Sequence, residues 1–304
     1  MAILVDERTR VVVQGATGNQ GRFHLAQMLA YGTRVVAGVS PGKGGEEVEG
    51  VPVYDTVEQA VLHHAVNASV IFVPAAFAKD AVFEAVHAGL GVVVVITEHI
   101  PVHDAMSMLA FARHHNAVVV GPNTFGVISP GKAKLGIMPA RAYSPGPVGI
   151  VARSGTLSYE IAAALTAAGL GQSTVVGLGG DRVVGLNFVE VLKRFEEDPG
   201  TRVVVLVGEI GGTAEEEAAE FAKGMAKPVV AYIAGRSAPP GKRMGHAGAI
   251  IERGRGTFDG KVKALESAGV RVAALPWEVP GLVASLLQAG PAPEPEARPP
   301  ASED

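Results

Sequence analysis

The segment of this 304-residue chain with the most chemistry in it is Gly241-Lys242-Arg243-Met244-Gly245-His246-Ala247-Gly248-Ala249-Ile250-Ile251. Small residues on both sides leave the His246 imidazole open to close approach, and the two cations just ahead of it attract phosphate. A lone histidine is more often a packed structural residue, and the glycine setting argues against that here. A histidine that carries a phosphoryl group needs a carboxylate on its other ring nitrogen, to fix the tautomer and stabilise the charged ring. Gly208-Glu209-Ile210-Gly211-Gly212 supplies one candidate. It follows the apolar run Val203–Val207, so Glu209 falls at the carboxyl end of a strand, the edge where ligands gather in open α/β sheets. The competing role for Glu209 is a helix-cap acid ahead of Glu215-Glu216-Glu217. Arg153-Ser154-Gly155-Thr156-Leu157-Ser158-Tyr159-Glu160 follows another strand and opens an Ala-rich helix. Ser154, Gly155 and Thr156 would there offer hydroxyls and helix N-terminal N–H groups to an anion. Ser154 as a nucleophile is the weaker alternative, because Gly-x-Ser-x-Gly is not met and no Asp/His partner is indicated.

A second set of residues suits a phosphorylated nucleotide. The first strand runs into Gly15-Ala16-Thr17-Gly18-Asn19-Gln20-Gly21 and then an amphipathic helix, Phe23 to Tyr31. Such glycines let the backbone turn tightly and bring N–H groups against a pyrophosphate, or merely close a strand–helix turn. A dinucleotide site for NAD would place Asp or Glu at the end of the next strand for the ribose 2′-hydroxyl. This strand ends Val39-Ser40-Pro41-Gly42-Lys43-Gly44-Gly45 instead. Lys43 offers a cation to another phosphate, as on the ribose of CoA or NADP; the alternative is a solvated loop lysine. Ile96-Thr97-Glu98 follows a very apolar run, where Thr97 and Glu98 either hold a ligand or cap the helix after Pro101, and the residues alone favour the cap.

Positioning these groups requires strands and helices in alternation, and the composition provides for them. Hydrophobic residues make up 48% of the chain but aromatics only 5%, so the interior must be Val, Ala, Leu and Ile, the material of buried parallel strands. A formal net charge of −4 gives no basic field for a nucleic acid backbone. No apolar run is long enough to span a bilayer, and charges in MAILVDERTR interrupt what a signal peptide would need, so the cytoplasm is expected. The absence of cysteine excludes disulfides, thiolate catalysis and Cys-ligated zinc. The pairs His63-His64 and His114-His115 are read as no metal site, since helical neighbours point apart.

Strands are expected near Arg10–Gln14, Thr33–Val39, Ser69–Pro74, Gly91–Thr97 and Ala117–Gly121, with helices such as Phe77–Ala88 and Val102–His114 between them. The Gly- and Pro-rich stretch from Gly121 to Gly149 reads as the joint between domains. Alternation resumes with strands near Val148–Ala152, Thr174–Leu178, Thr201–Gly208, Pro228–Ile233 and Val270–Ala273. The expected fold is α/β: a Rossmann-like domain over residues 1–121 and a second doubly wound, flavodoxin-like parallel domain over 122–290. Residues 291–304, with five prolines and four acids against one arginine, are expected to be a disordered tail.

In order and spacing, Gly15-Ala16-Thr17-Gly18, Pro41-Gly42-Lys43-Gly44-Gly45, Ser154-Gly155-Thr156-Leu157, Gly208-Glu209-Ile210-Gly211-Gly212 and Gly241–Ile251 resemble the succinyl-CoA synthetase α-subunit family. The resemblance spans about residues 3 to 289, and Lys242–Ile251 is its most specific part. It implies that Thr17, Gly18, Asn19, Gln20, Lys43 and Ile96-Thr97-Glu98 contact CoA. It further implies that His246 is phosphorylated, that Glu209 orients it and that Tyr159 contributes to substrate binding. In that family the nucleotide, ATP or GTP with Mg2+, binds on a β subunit; no Walker-type phosphate loop occurs in this chain. The phosphoryl group passes from histidine to a carboxylate, and CoA displaces it to give the thioester. Where a Gly-Pro-Asn-Cys-Pro-Gly-like turn is usual, this chain has Gly121-Pro122-Asn123-Thr124-Phe125-Gly126, near the place expected for the acyl substrate. That departure leaves succinate or another carboxylic acid such as malate open. Rivals from other classes are an NADP-dependent oxidoreductase and a non-catalytic CoA-binding module.

Overall fold

The computed structural model describes residues 2–239, 242–251 and 254–289. The expected tail, residues 291–304, and Gly241 of the histidine segment lie outside the described residues. The first half carries β1 (Arg10–Gln14), α1 (Asn19–Ala30), β2 (Arg34–Val39), β3 (Glu47–Val48), β4 (Val51–Tyr54), α2 (Val57–His63), β5 (Ala68–Ile71), α3 (Ala75–His87), β6 (Val92–Val95), α4 (Val102–His114) and β7 (Val118–Val120). The second half carries β8 (Gly126–Ser129), β9 (Ala133–Gly136), β10 (Pro145–Ala152), α5 (Gly155–Ala167), β11 (Gln172–Gly177), α6 (Phe188–Glu197), β12 (Val203–Glu209), α7 (Ala214–Ala222), β13 (Val229–Ala234), α8 (Phe258–Ser267), β14 (Arg271–Ala273) and α9 (Val279–Gln288).

The Val-rich strands are covered on both faces, as their continuous apolar runs require: β5 and β12 are buried at every residue. The first sheet is ordered β3-β4-β2-β1-β5-β6-β7. Without the short antiparallel β3, its strands read 3-2-1-4-5-6 in chain order, the dinucleotide-binding arrangement. The second sheet is ordered β14-β13-β12-β10-β11-β8-β9, and its parallel strands read 2-1-3-4-5, the flavodoxin-like order. Both halves of the expected fold class are present.

The expected joint between residues 121 and 149 holds more structure than its glycines and prolines suggested. It contains the β8–β9 hairpin, which pairs antiparallel with β11 and makes the second sheet mixed rather than parallel. The hairpin also meets the first half: Gly131 donates to the Tyr31 hydroxyl at 3.0 Å, and Thr33 and Lys134 exchange hydrogen bonds at 3.0 Å. Ile3 and Val5 pack in the same apolar cluster as Val127, Val176 and Leu206 of the second sheet. Among the described residues, no helix is long and apolar enough to cross a membrane.

Candidate active site

In a doubly wound sheet the loops leaving two strands part at the point where the winding reverses, and a crevice opens there. The first sheet reverses between β1 and β5, the second between β10 and β12. The sequence places its chemistry on those four strand ends: the glycine loop after β1, Phe72-Val73-Pro74 after β5, Arg153 after β10 and Glu209 at the end of β12.

Residues 242–251 form a loop without helix or strand, closed on itself by Met244 N–H to Ala249 O at 2.9 Å and Ala249 N–H to His246 O at 3.2 Å. Gly248 N–H donates to Gly180 O at 3.2 Å, which ties the loop to the turn after β11. The imidazole lies directly against Gly180, where a Cβ would fall 2.5 Å from ring atoms Cγ and Cδ2. Glycine is needed at 180 for that contact. His246 Nδ1 and Glu209 Oε2 are 2.7 Å apart. A carboxylate only accepts, so Nδ1 carries the proton, and in the neutral ring Nε2 keeps its lone pair. Nε2 has no hydrogen-bond partner among the described residues. The Glu209 side chain is 8% exposed, and its second oxygen faces the Arg153 guanidinium, Nε to Oε1 at 3.3 Å. Arg153 in turn donates from Nη2 to Asp181 O at 2.9 Å. The hydrogen bond to Glu209 holds the His246 pKa above the ordinary imidazole value; burial and Arg153 oppose it, and the Glu209 and Asp181 charges add to it.

His246 opens on a cavity of about 620 Å³ that reaches across to the first sheet. Gln20, Ile96, Thr97 and Glu98 line it from that side; Asn123, Thr124, Ser154, Gly155, Thr156 and Tyr159 line it from the other. Of the remaining expected residues, Glu209 sits behind His246. Thr17, Gly18, Asn19 and Lys43 are not among the residues that line it. The glycine loop is closely packed: a Cβ at Gly21 would fall 2.0 Å from Gly15 O. Thr17 reaches Ser40 Oγ through its N–H at 3.2 Å and its hydroxyl at 3.0 Å, so this loop and the Ser40–Lys43 turn form one edge. Lys43 is half-exposed and pairs with Glu46 at 3.0 Å.

Several local roles differ from the simplest sequence reading. Thr97 and Glu98 do not cap α4, whose N-cap is Pro101; the Thr97 hydroxyl donates to Val73 O at 2.7 Å and ties the ends of β5 and β6 together. Glu209 is no helix cap either, since Thr213 holds that position ahead of α7. Ser154 is the N-cap of α5 and accepts from Leu157 N–H at 3.5 Å, so its hydroxyl is engaged at the helix start. Thr124 is buried and its hydroxyl donates to Gly177 O at 2.7 Å while accepting from Gly126 N–H at 3.0 Å. Asn123 holds a positive φ of 55° and its side chain donates to Asp181 Oδ1 at 3.0 Å. Phe125 turns inward, 4% exposed, with its ring edge to face with Tyr159 at 5.6 Å. Burial pushes the Tyr159 hydroxyl up to about 12, so it stays protonated at neutral pH. The rings of His114 and His115 approach to 5.1 Å, because His115 already lies past the end of α4, rather than pointing apart.

Sequence reasoning assigned no role to Arg153 or Asp181. Arg153 carried a usable signal, a cation just past a strand end and two residues ahead of a helix; Asp181 reaches the site only through the tertiary fold.

Two family models divide the chain: residues 6–99 match a CoA binding domain and residues 151–271 match CoA-ligase. The succinate–CoA ligase (ADP-forming) subunit alpha 2 of Archaeoglobus fulgidus is 64% identical over 287 residues, covering 94% of this chain and 100% of that one. The chain belongs to the succinate–CoA ligase α-subunit family. A family member from Methanothermobacter thermautotrophicus is 62% identical over 270 residues, 89% of this chain and 92% of its own. Among solved structures, ATP citrate lyase of Methanosaeta concilii in complex with (3S)-citryl-CoA matches with a TM-score of 0.86 at 26% identity. That match covers 94% of this chain and 51% of the lyase, so the α-subunit chain spans about half of the larger protein.

Proposed function

We propose that the chain is the α subunit of an ADP-forming succinate–CoA ligase that works through a phosphohistidine at His246. The observation that carries this is the 2.7 Å bond between Glu209 and Nδ1, which leaves Nε2 free on a histidine that lines a cavity shared with the first sheet's ligand edge. In the direction of thioester synthesis, neutral Nε2 attacks the γ-phosphorus of ATP, the bond to ADP breaks and an N–P bond forms. A succinate carboxylate oxygen then takes the phosphoryl group and returns the electron pair to Nε2. The CoA thiol attacks the acyl carbon of succinyl phosphate, forming the C–S bond; phosphate leaves with the thiol proton. Every step is reversible.

In this reading Glu209 holds the Nδ1 proton throughout and stabilises the charged ring, and Arg153 keeps the carboxylate in place. The first-turn N–H groups at Ser154, Gly155 and Thr156 face the phosphoryl oxygens. Thr17, Gly18, Asn19, Gln20, Lys43 and Ile96-Thr97-Glu98 hold CoA, while Asn123, Thr124 and Tyr159 shape the acyl end. A β subunit supplies the nucleotide site, with Mg2+ entering on the nucleotide, and the assembly works in the cytoplasm without nucleic acid or membrane. The CoA-binding unit is assigned to residues 1–121 and the ligase unit to 122–290; the end of the first sheet at Val120 and the start of β8 at Gly126 support that division.

The test is phosphoryl transfer with the β subunit and Mg-ATP labelled at the γ-phosphate. Wild type should take up one alkali-stable, acid-labile label. His246→Asn should lose both label and thioester formation while CoA binding stays nearly intact, because that site lies on the other sheet. Label that persists in His246→Asn, or that maps to Ser154, overturns the assignment.

A further inference from the structure

Behind the Glu209–His246 pair lies a group of buried charges that the reaction itself does not use. Beyond Val207, β12 loses β10 as a neighbour, because β10 ends at Ala152 and turns into α5. The N–H of Glu209 therefore has no strand to donate to on that side. It donates to Glu215 Oε1 at 3.1 Å instead. Glu215 lies in the first turn of α7 and is wholly buried; its other oxygen bonds the ammonium of Lys261 on α8, which is wholly buried as well. Lys261 also donates to Glu216 Oε2 at 3.1 Å. The Glu215 stem occupies the space a side chain at 208 would need: a Cβ on Gly208 would fall 2.6 Å from Glu215 Cγ. Burial pushes the Glu215 carboxyl up, and the Lys261 ammonium opposes that push.

Apolar side chains of similar volume would join α7 to α8 without taking two charges out of water, so helix packing alone does not call for this pair. What an apolar pair lacks is an acceptor for the Glu209 N–H. We propose that Glu215 is a positioning residue for the histidine centre: its side-chain oxygen, the acceptor for the Glu209 N–H, fixes the backbone at Glu209 so that its carboxylate meets His246 Nδ1, while Lys261 offsets the charge that this acceptor carries into the interior. The effect on phosphorylation rests on the function proposed above; the effect on the ring does not. Glu209 has Arg153 on one oxygen and His246 on the other, so rotation at its Cα breaks both contacts at once.

Two double variants of the full-length chain separate positioning from packing. Glu215→Leu/Lys261→Met removes charge and acceptor together, whereas Glu215→Gln/Lys261→Met removes the charges but keeps an amide oxygen for the Glu209 N–H. The His246 ring is titrated by NMR with no nucleotide or CoA present. Wild type and the Gln/Met variant should titrate above the ordinary imidazole value, and the Leu/Met variant should fall back towards it. With the β subunit, phosphorylation of the Leu/Met variant should slow by roughly 10- to 100-fold, as when the partner behind a ligating side chain is removed. The Gln/Met variant should stay near wild type. An unchanged midpoint in the Leu/Met variant, or a fallen one in the Gln/Met variant, overturns the proposal even if thermal stability drops. If the midpoints follow the expected pattern but wild type takes no label, the positioning stands and the ligase reading fails.

Discussion

Glu209 sets what His246 can do at a given pH. The folded pKa of His246 lies above the ordinary imidazole value, chiefly through its hydrogen bond to Glu209. The pair therefore contributes stability that is fully present below the unfolded imidazole pKa and is lost as pH rises through the folded one. Nucleophilicity runs the opposite way, because only the neutral ring has a lone pair on Nε2. The phosphorylation rate should rise with pH through a midpoint above about 6.5, the ordinary imidazole value. Glu209→Gln should move that midpoint down and lower the extent of labelling; a rate profile that does not move would disconnect the carboxylate from the nucleophile. Lys43 is tested by a different ligand pair. Lys43→Ala should weaken CoA more than 3′-dephospho-CoA, by about 1.5–3 kcal/mol, the worth of a hydrogen bond to a charged group. Equal losses in calorimetric titrations of both ligands would remove Lys43 from the phosphate. The histidine and its acid were legible in the sequence because each sits among glycines, the acid also at a strand end. Arg153 was not, because its importance depends on Glu209 arriving from a strand more than fifty positions later, and spacing holds no record of that meeting.

At the scale of elements, Val-rich strands were legible and short polar or glycine-rich ones were not. The bounds of β1 follow from the sequence as they stand in the fold, since three consecutive valines between Arg10 and Gln14, followed at once by Gly15, admit few alternatives. Helix α1 begins at Asn19 rather than Phe23, because Gly21 weakens the helical pattern while tertiary packing demands it. β8 and β9 escaped notice for a similar reason: β8 opens on Gly126, β9 closes on Gly136 and Gly131 lies between them, so two four-residue strands read as a linker unless the neighbouring strand is known. The turn that leads into β8 carries a prediction of its own. Phe125 fills the space between Gly155 and Tyr159 and lines the cavity, so replacing Thr124-Phe125 with Cys-Pro should reshape the acyl end. The kcat/KM ratio between succinate and larger or hydroxylated acids should move by roughly 1–3 kcal/mol. Loss of the buried ring should also destabilise the fold by about 3 kcal/mol in denaturant unfolding. If no ratio changes while stability falls, the turn supports the site without touching substrate.

Over the whole molecule, the cavity belongs to neither sheet alone. A ligand held there stabilises both, so CoA at 100 times its dissociation constant should raise stability by about 2.7 kcal/mol in one cooperative transition. Calorimetry that shows only half of the unfolding heat moving with CoA would mean that the two sheets melt separately. Chain order and spatial order also part company. Ile3 N–H donates to Thr174 Oγ1 at 3.3 Å, and Ser129 Oγ donates to Val5 O at 2.7 Å, so the chain touches the second sheet before it has built the first. Residues 3–5 thus act as a tether running back across the molecule. A fragment that starts at Pro122 would lack that tether and expose the apolar cluster around Val127, Leu135 and Val176, while the complementary fragment would carry Ile3 and Val5 with nothing to cover them. Genetic dissection at the obvious glycine–proline seam would therefore yield two sticky halves rather than two working modules. A circular permutant opened elsewhere on the surface, with residues 3–5 kept in reach of Thr174, is the construction that preserves the architecture.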